Sequence, residues 1–252
     1  MLRCNIQIKF NLEANQLKLP LNHNHILHGI VLKWLGNQNY ENFLHNCGFT
    51  FNNRIFKLYS FSELKGEYKL LDDGRIMFYK KIDFYIGSHD EKFIDYLFKN
   101  SIFREKITIL DQDVFICGID MIDTTPKNNS YTVETLSPIT VYSSFESCQS
   151  KKTLYYHPND KNFAQYIQEN LIKKYNSFYG KNPENSEFYI KTIGTPKEIK
   201  KRYKGFLIKG WHGKFKIAGS MELLKMAFDS GLGSKNSQGF GFIREVPSPI
   251  QN

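Results

Sequence analysis

An α+β fold of two tandem ferredoxin-like domains, the unit also used by RNA-recognition modules, is predicted by three observations. Periodic segments follow the order β-α-β-β-α-β through the first half of the chain, and that order recurs after a polar break near residue 124. With 252 residues the chain can fill two cores of ordinary size. A glycine-rich loop near the C-terminus completes the prediction.

Residues Leu2 to Leu12 alternate, with Ile6, Ile8 and Phe10 on one side, and read as a strand. The stretch from Leu19 to His25 opens a helix: Asn22 or Asn24 supplies a cap, and Ile26, Leu27, Ile30, Val31 and Trp34 form its apolar face. A second helical piece, Tyr40 to His45, follows the break at Gly36. Strands come next at Ile55–Phe61 and Ile76–Ile86, then a helix near Asp90–Asn100 and a strand pair across Lys106–Ile122. Thr124 to Ser130 is polar and turn-rich, which divides the chain into domains over 1–124 and 131–252.

In the second half, Thr132 to Tyr142 reads as a strand interrupted at Pro138, and Lys161 to Tyr179 as a helix with Phe163, Ile167, Leu171 and Tyr175 in register. Strands near Phe188–Ile193 and Phe206–Ile217 precede a helix capped by Ser220, with Met221, Leu224, Ala227 and Phe228 on one face. Gly231 suits its left-handed C-terminal position, and a last strand starts at Phe240. No sequence period accompanies the repeat, so it is architectural.

Between that helix and strand, Gly231, Gly233, Gly239 and Gly241 bracket the polar run Ser234, Lys235, Asn236, Ser237 and Gln238. Glycine permits positive φ, so backbone N–H groups can turn toward a phosphate, and one lysine without an acid suits that ligand. The spacing fits neither a P-loop nor a dinucleotide fingerprint. By itself the run is a helix-to-strand turn with extra glycines.

The formal charge of +9 is unevenly placed: residues 1–125 hold 15 Lys+Arg against 15 Asp+Glu, and residues 126–252 hold 19 against 10. Between 191 and 216, Lys191, Lys197, Lys200, Lys201, Arg202, Lys204, Lys209, Lys214 and Lys216 face only Glu198. Such a stripe beside a glycine loop points to a polyanion, most simply nucleic acid; the alternative is a solvated face. No apolar run reaches a membrane span and no signal peptide opens the chain, so a cytoplasmic protein without a membrane partner is expected. Cys4, Cys47, Cys117 and Cys148 lack metal or redox spacing, and the seven histidines form no suitable His–Cys pairs. Buried or free thiols, and no metal or other cofactor, are expected.

Four stretches resemble one family. Gly231 to Gly241 is close to the C-terminal glycine-rich motif of the CRISPR-associated endoribonucleases of the Cas six family, within the RAMP superfamily. Lys18 to His23 resembles that family's opening of the first helix, Phe56 to Ser62 its second strand, and Leu136 to Ile139, more weakly, the start of its second half. The resemblance implies two tandem ferredoxin-like domains acting on CRISPR repeat RNA, as precursor and mature guide. Other subunits of a CRISPR complex are further expected partners, and the protein is a monomer or homodimer. It also implies a metal-independent cut in which a ribose 2′-hydroxyl attacks the adjacent phosphate, leaving a 2′,3′-cyclic phosphate and a 5′-hydroxyl.

That chemistry needs a proton acceptor, a proton donor and positive charge at the phosphorane. The resemblance places the catalytic histidine at His45 and a charge-stabilising lysine at Lys57. Taken alone, His45 is a helix-end histidine and Lys57 an edge-strand lysine. The first-helix tyrosine of some relatives falls on Leu32, so Tyr40 or a second histidine takes its role, or the dyad works alone. Of His23, His25 and His28, the last two share a helical face, and His28 ranks behind His45. RNA contacts are expected at the glycine loop from Gly231 to Gly241 and at Lys200, Lys201, Arg202 and Lys204. The alternative is a non-catalytic RNA-binding subunit of a CRISPR interference complex, which keeps loop and stripe but needs no histidine at the phosphate.

Overall fold

Alternating apolar residues bury one face of a strand and leave its backbone to pair along both edges. The computed structural model describes residues 4–12, 16–102, 104–147 and 150–247. In it Ile6, Ile8 and Phe10 are buried, and β1 (Cys4–Asn11) lies between two antiparallel partners. Leu2 and Cys148, named above, lie outside the described residues.

The chain continues through β2 (Leu17–Pro20), α1 (Asn24–Leu35), α2 (Gln38–Asn42), β3 (Phe49–Phe51), β4 (Arg54–Phe56) and β5 (Tyr59–Phe61). Then come β6 (Lys65–Leu70), β7 (Arg75–Ser88), α3 (Glu91–Ile102), β8 (Lys106–Ile109) and β9 (Gln112–Asp123). The C-terminal unit holds β10 (Ser130–Thr135), β11 (Tyr142–Ser147), β12 (Ser150–Tyr155), α4 (Lys161–Tyr179), β13 (Phe188–Tyr203), β14 (Phe206–Gly219), α5 (Met221–Ser230) and β15 (Ile243–Glu245).

Both main sheets are antiparallel and share one strand order. β1 pairs with β7 and β9 while β5 and β6 flank β7; β10 pairs with β14 and β15 while β13 flanks β14. This is the ferredoxin-like arrangement twice over. One core gathers Phe10, Trp34, Phe84 and Phe93, and the other Phe163, Leu171, Trp211 and Phe215.

Several local expectations are corrected. The strand expected over Ile55–Phe61 breaks at Leu58, whose φ is 50°; Leu58 enters the second core, and Tyr59 the first. Neither Asn22 nor Asn24 caps α1, because the cap residue is His23, whose side chain makes no capping bond. Gly231 has φ 80° and ψ 166°, positive but extended, so it is not the left-handed cap expected of it. Strand β10 stops at Thr135, and the hairpin of β11 and β12 is an addition that apolar periodicity did not signal. Strand β13 runs on past Ile193, through an irregularity, to Tyr203.

Gly241 has φ 76°, and a Cβ built there would stand 2.0 Å from the Leu232 carbonyl oxygen, a backbone atom that no side-chain rotation clears. Gly241→Ala should therefore destabilise the protein by at least about 2 kcal/mol, read as a lower midpoint in urea unfolding. An unchanged midpoint would mean that the loop repacks freely.

Candidate functional site

The hairpin of β13 and β14 carries the C-terminal unit onto the N-terminal one. Its tip is a two-residue turn, Lys204 and Gly205, with φ of 47° and 86°, as type I′ geometry requires. Lys201 Nζ donates to Asn24 Oδ1 at 3.0 Å and pairs with Glu63 at 2.7 Å, and the Arg202 backbone N–H donates to Asn22 Oδ1 at 2.7 Å. Tyr203 Oη lies 3.0 Å from His28 Nδ1. Burial raises the Glu63 carboxyl, but the Lys201 charge and the His212 hydrogen bond outweigh it and hold the group well below the usual range. Lys201, its side chain only 12% exposed, is thus a tie between units and not part of a solvated face. Lys200 is exposed beside Glu198 at 3.5 Å, and Arg202 and Lys204 are exposed.

The glycine loop fills the seam below the hairpin. Asn24 Nδ2 donates to the carbonyls of Gln238 (3.0 Å) and Gly239 (3.1 Å), and Asn236 Nδ2 to those of Leu232 and Phe240, both at 3.0 Å. A Cβ on Gly239 would meet Asn24 and Phe61 side-chain atoms at 2.6 Å, so glycine here permits close approach. The N–H groups of Leu232, Ser234, Gln238, Gly239 and Gly241 all donate to protein carbonyls, so these positions pack the joint, while the stretch from Lys235 to Gln238 lines a cavity. Lys235, at φ 61°, is half-buried with Nζ 5.3 Å from the Tyr142 ring centre, and burial lowers its pKa. Ser234, Ser237 and Gln238 also line the cavity beside it.

That cavity, about 770 Å³, is walled by Arg54, Lys57, Lys173, Lys174 and Lys235 against Glu169. In its lining the left-handed Leu58 turns the chain between cores, its carbonyl held by the His89 N–H (2.9 Å) and Ser88 Oγ (3.0 Å). Lys57, half-buried just before it, has its pKa lowered by burial and then by the charge of Lys204. Burial lowers the His28 imidazole to about 4, and the charges of Lys57, Lys204 and His45 push the same way. Its ring stacks on Tyr59, and its buried Nε2 lacks a hydrogen-bond partner. His45 is exposed on a π turn, Phe43–Cys47, anchored by buried Leu44, with Nδ1 2.8 Å from Asn46 Oδ1. The Lys57 and Lys204 charges disfavour each other, which an anion between them would offset.

Not every expected residue joins this cluster. Tyr40 packs on Phe43 and Tyr96 and donates its hydroxyl to Asp90 Oδ2 at 2.5 Å, a committed contact. Leu32 packs against the first core. His23 and His25 bond the carbonyls of Pro20 and Asn22. Residues that sequence reasoning missed are Asn24, Glu63, Tyr203 and Lys174, together with buried His89, which meets Asp229 Oδ2 at 2.8 Å and Tyr179 Oη at 3.0 Å. Only Tyr203 carried a signal, its place inside the basic stripe.

The family model described as CRISPR associated protein Cas6, C-terminal, matches residues 122–245. The CRISPR-associated endoribonuclease Cas6 of Pyrococcus furiosus is 28% identical over 232 residues, spanning 90% of this chain and 83% of that protein. The CRISPR-associated endoribonuclease Cas6 1 of Methanocaldococcus jannaschii is 26% identical over 255 residues, spanning 99% and 96%. A solved structure, described as the characterization of a Cas6-related gene from Pyrococcus furiosus, superposes with a TM-score of 0.84 at 21% identity over 98% of this chain and 100% of that one. That likeness shows a shared fold.

Lys174 makes a separate expectation. Its ammonium is buried against the carbonyls of Ser230 (3.2 Å) and Gly231 (2.7 Å), and burial lowers its pKa from 10.5 to about 7. Between those values the unfolded chain holds a proton that the folded protein has released, so this group makes stability rise with pH across that window. Lys174→Met should flatten the rise, measured by urea unfolding at pH 7 and pH 9.5; equal slopes in both proteins would contradict it.

Proposed function

Because the chain belongs to the Cas6 family, we propose that it is an endoribonuclease that cleaves CRISPR repeat RNA into guide units, with repeat RNA as its partner. The reading rests above all on one observation: Lys57, which lines the basic cavity, and His28 of the N-terminal unit both lie within electrostatic reach of Lys204 of the C-terminal unit, and His28 within that of His45 as well. A scissile phosphate placed there would relieve the repulsion between Lys57 and Lys204, most strongly as charge builds in the transition state.

In this proposal the 2′-hydroxyl attacks the adjacent phosphorus, its proton leaves to a base, and the departing 5′-oxygen takes a proton from an acid. His45 carries proton transfer. Burial leaves His28 a weak base at neutral pH, whereas an exposed imidazole is free to approach the sugar. Neutral His28, hydrogen-bonded to Tyr203, serves to orient substrate, and Lys57 with Lys204 stabilises the phosphorane. The side chains of this chain supply each of these roles without a metal ion. Arg202 and Lys200 are proposed to meet RNA phosphates outside the reacting centre.

His45→Ala should slow single-turnover cleavage of a repeat RNA in EDTA at least about 100-fold while affinity stays within a few-fold. Cutting at the parent rate would remove His45 from the mechanism. A single 2′-deoxy substitution just upstream of the cut should abolish cleavage; strand scission of that substrate would point to an activated water instead. A wild-type protein that binds the repeat but never cuts it would favour the non-catalytic subunit.

A further inference from the structure

Directly opposed residues of an antiparallel pair share one face of the ribbon. At the end of the β13–β14 hairpin, Lys201 is opposite Ile208 and Tyr203 opposite Phe206, which sets these four side chains on one face, while Arg202 and Leu207 share the other. The first face is the one turned to the N-terminal unit. Lys201 is tied to Glu63 and Asn24, Tyr203 to His28, and Ile208 is 2% exposed. Phe206 breaks the pattern: it is 77% exposed although it shares this packed face.

We infer that Phe206 is a stacking platform for an unpaired base of the RNA, next to the phosphate that is cut. The inference rests on the functional reading above and adds a substrate-positioning residue to it. Phe206 adjoins the Lys204–Gly205 turn, directly across from the residue that contacts His28, so a base lying on its ring is adjacent to the basic cluster. Exposed Lys204 in the adjoining turn suits a phosphate backbone, and an aromatic ring next to a cation is how single-stranded RNA is held without hydrogen-bond readout. An apolar peptide would gain nothing from that charge. The ring's exposure also means that its removal leaves the core untouched.

The test uses the full chain and a repeat RNA with a 2′-deoxy sugar at the cut and 2-aminopurine at each flanking position in turn. Wild-type protein and Phe206→Trp should quench the fluorophore at one flanking nucleotide; Phe206→Ala should not. Phe206→Ala should also bind the RNA about 5- to 100-fold more weakly, the range of one lost base–aromatic stack. Leu207→Ala, altered on the opposite face, is the control and should match the parent. If the parent binds this RNA and cuts the unmodified repeat while Phe206→Ala equals it in quenching and affinity, the platform is overturned and the functional reading stands. If the parent neither binds nor cuts, the functional reading itself is overturned.

Discussion

The ion pair between Lys201 and Glu63 sets the register of the β13–β14 hairpin against the N-terminal unit. A lysine this far from water is tolerated when its charge is met, and Glu63 with Asn24 meets it. A slip of one residue along the ribbon would reverse its faces, turning Lys200 or Arg202 inward and Tyr203 away from His28. The pair is better understood as fixing one arrangement than as adding stability, because desolvation cancels much of the Coulomb gain. What it fixes is the position of Lys204, the cation that the C-terminal unit contributes to the basic cluster.

Asn24 links this tie to the glycine loop. Its Oδ1 accepts from Lys201 while its Nδ2 donates to Gln238 and Gly239, so one amide joins the start of α1, the hairpin and the loop. The close fit explains why glycines are needed: a Cβ at Gly239 meets Asn24, and one at Gly241 meets the Leu232 carbonyl. About half of the loop's N–H groups are bonded within this joint, and the loop's Lys235 shares the cavity wall with Lys57, Lys173 and Lys174.

The fold was legible where periodicity and chain order suffice. The helix over 161–179 falls where Phe163, Ile167 and Leu171 repeat, and Ser220 caps α5 by accepting from the Leu223 N–H. Asn24 misled because a residue suited to capping was recruited by a partner more than two hundred positions away. The stripe at 191–216 looked uniform in sequence, yet the ribbon turns Lys201 inward and Arg202 outward, a distinction that needs the pairing register. For the candidate site, His45 and Lys57 were named from resemblance and His28 from its helical face, whereas Glu63 acts across the seam and carries no local pattern, and Tyr203 only its place in the basic stripe. Tyr40 looked free to serve and is held by Asp90.

An endoribonuclease that joins His45 and Lys57 to Lys204 must hold RNA at the seam, touching both units at once. A repeat RNA with 4-thiouridine beside the cut, photo-crosslinked to the full chain and mapped by mass spectrometry, addresses this directly. Crosslinked peptides from the region of His28 to Leu58 together with the tip around Lys204 and Phe206 are the predicted result. Crosslinks confined to one unit, or to the sheet faces away from Lys57, would contradict it.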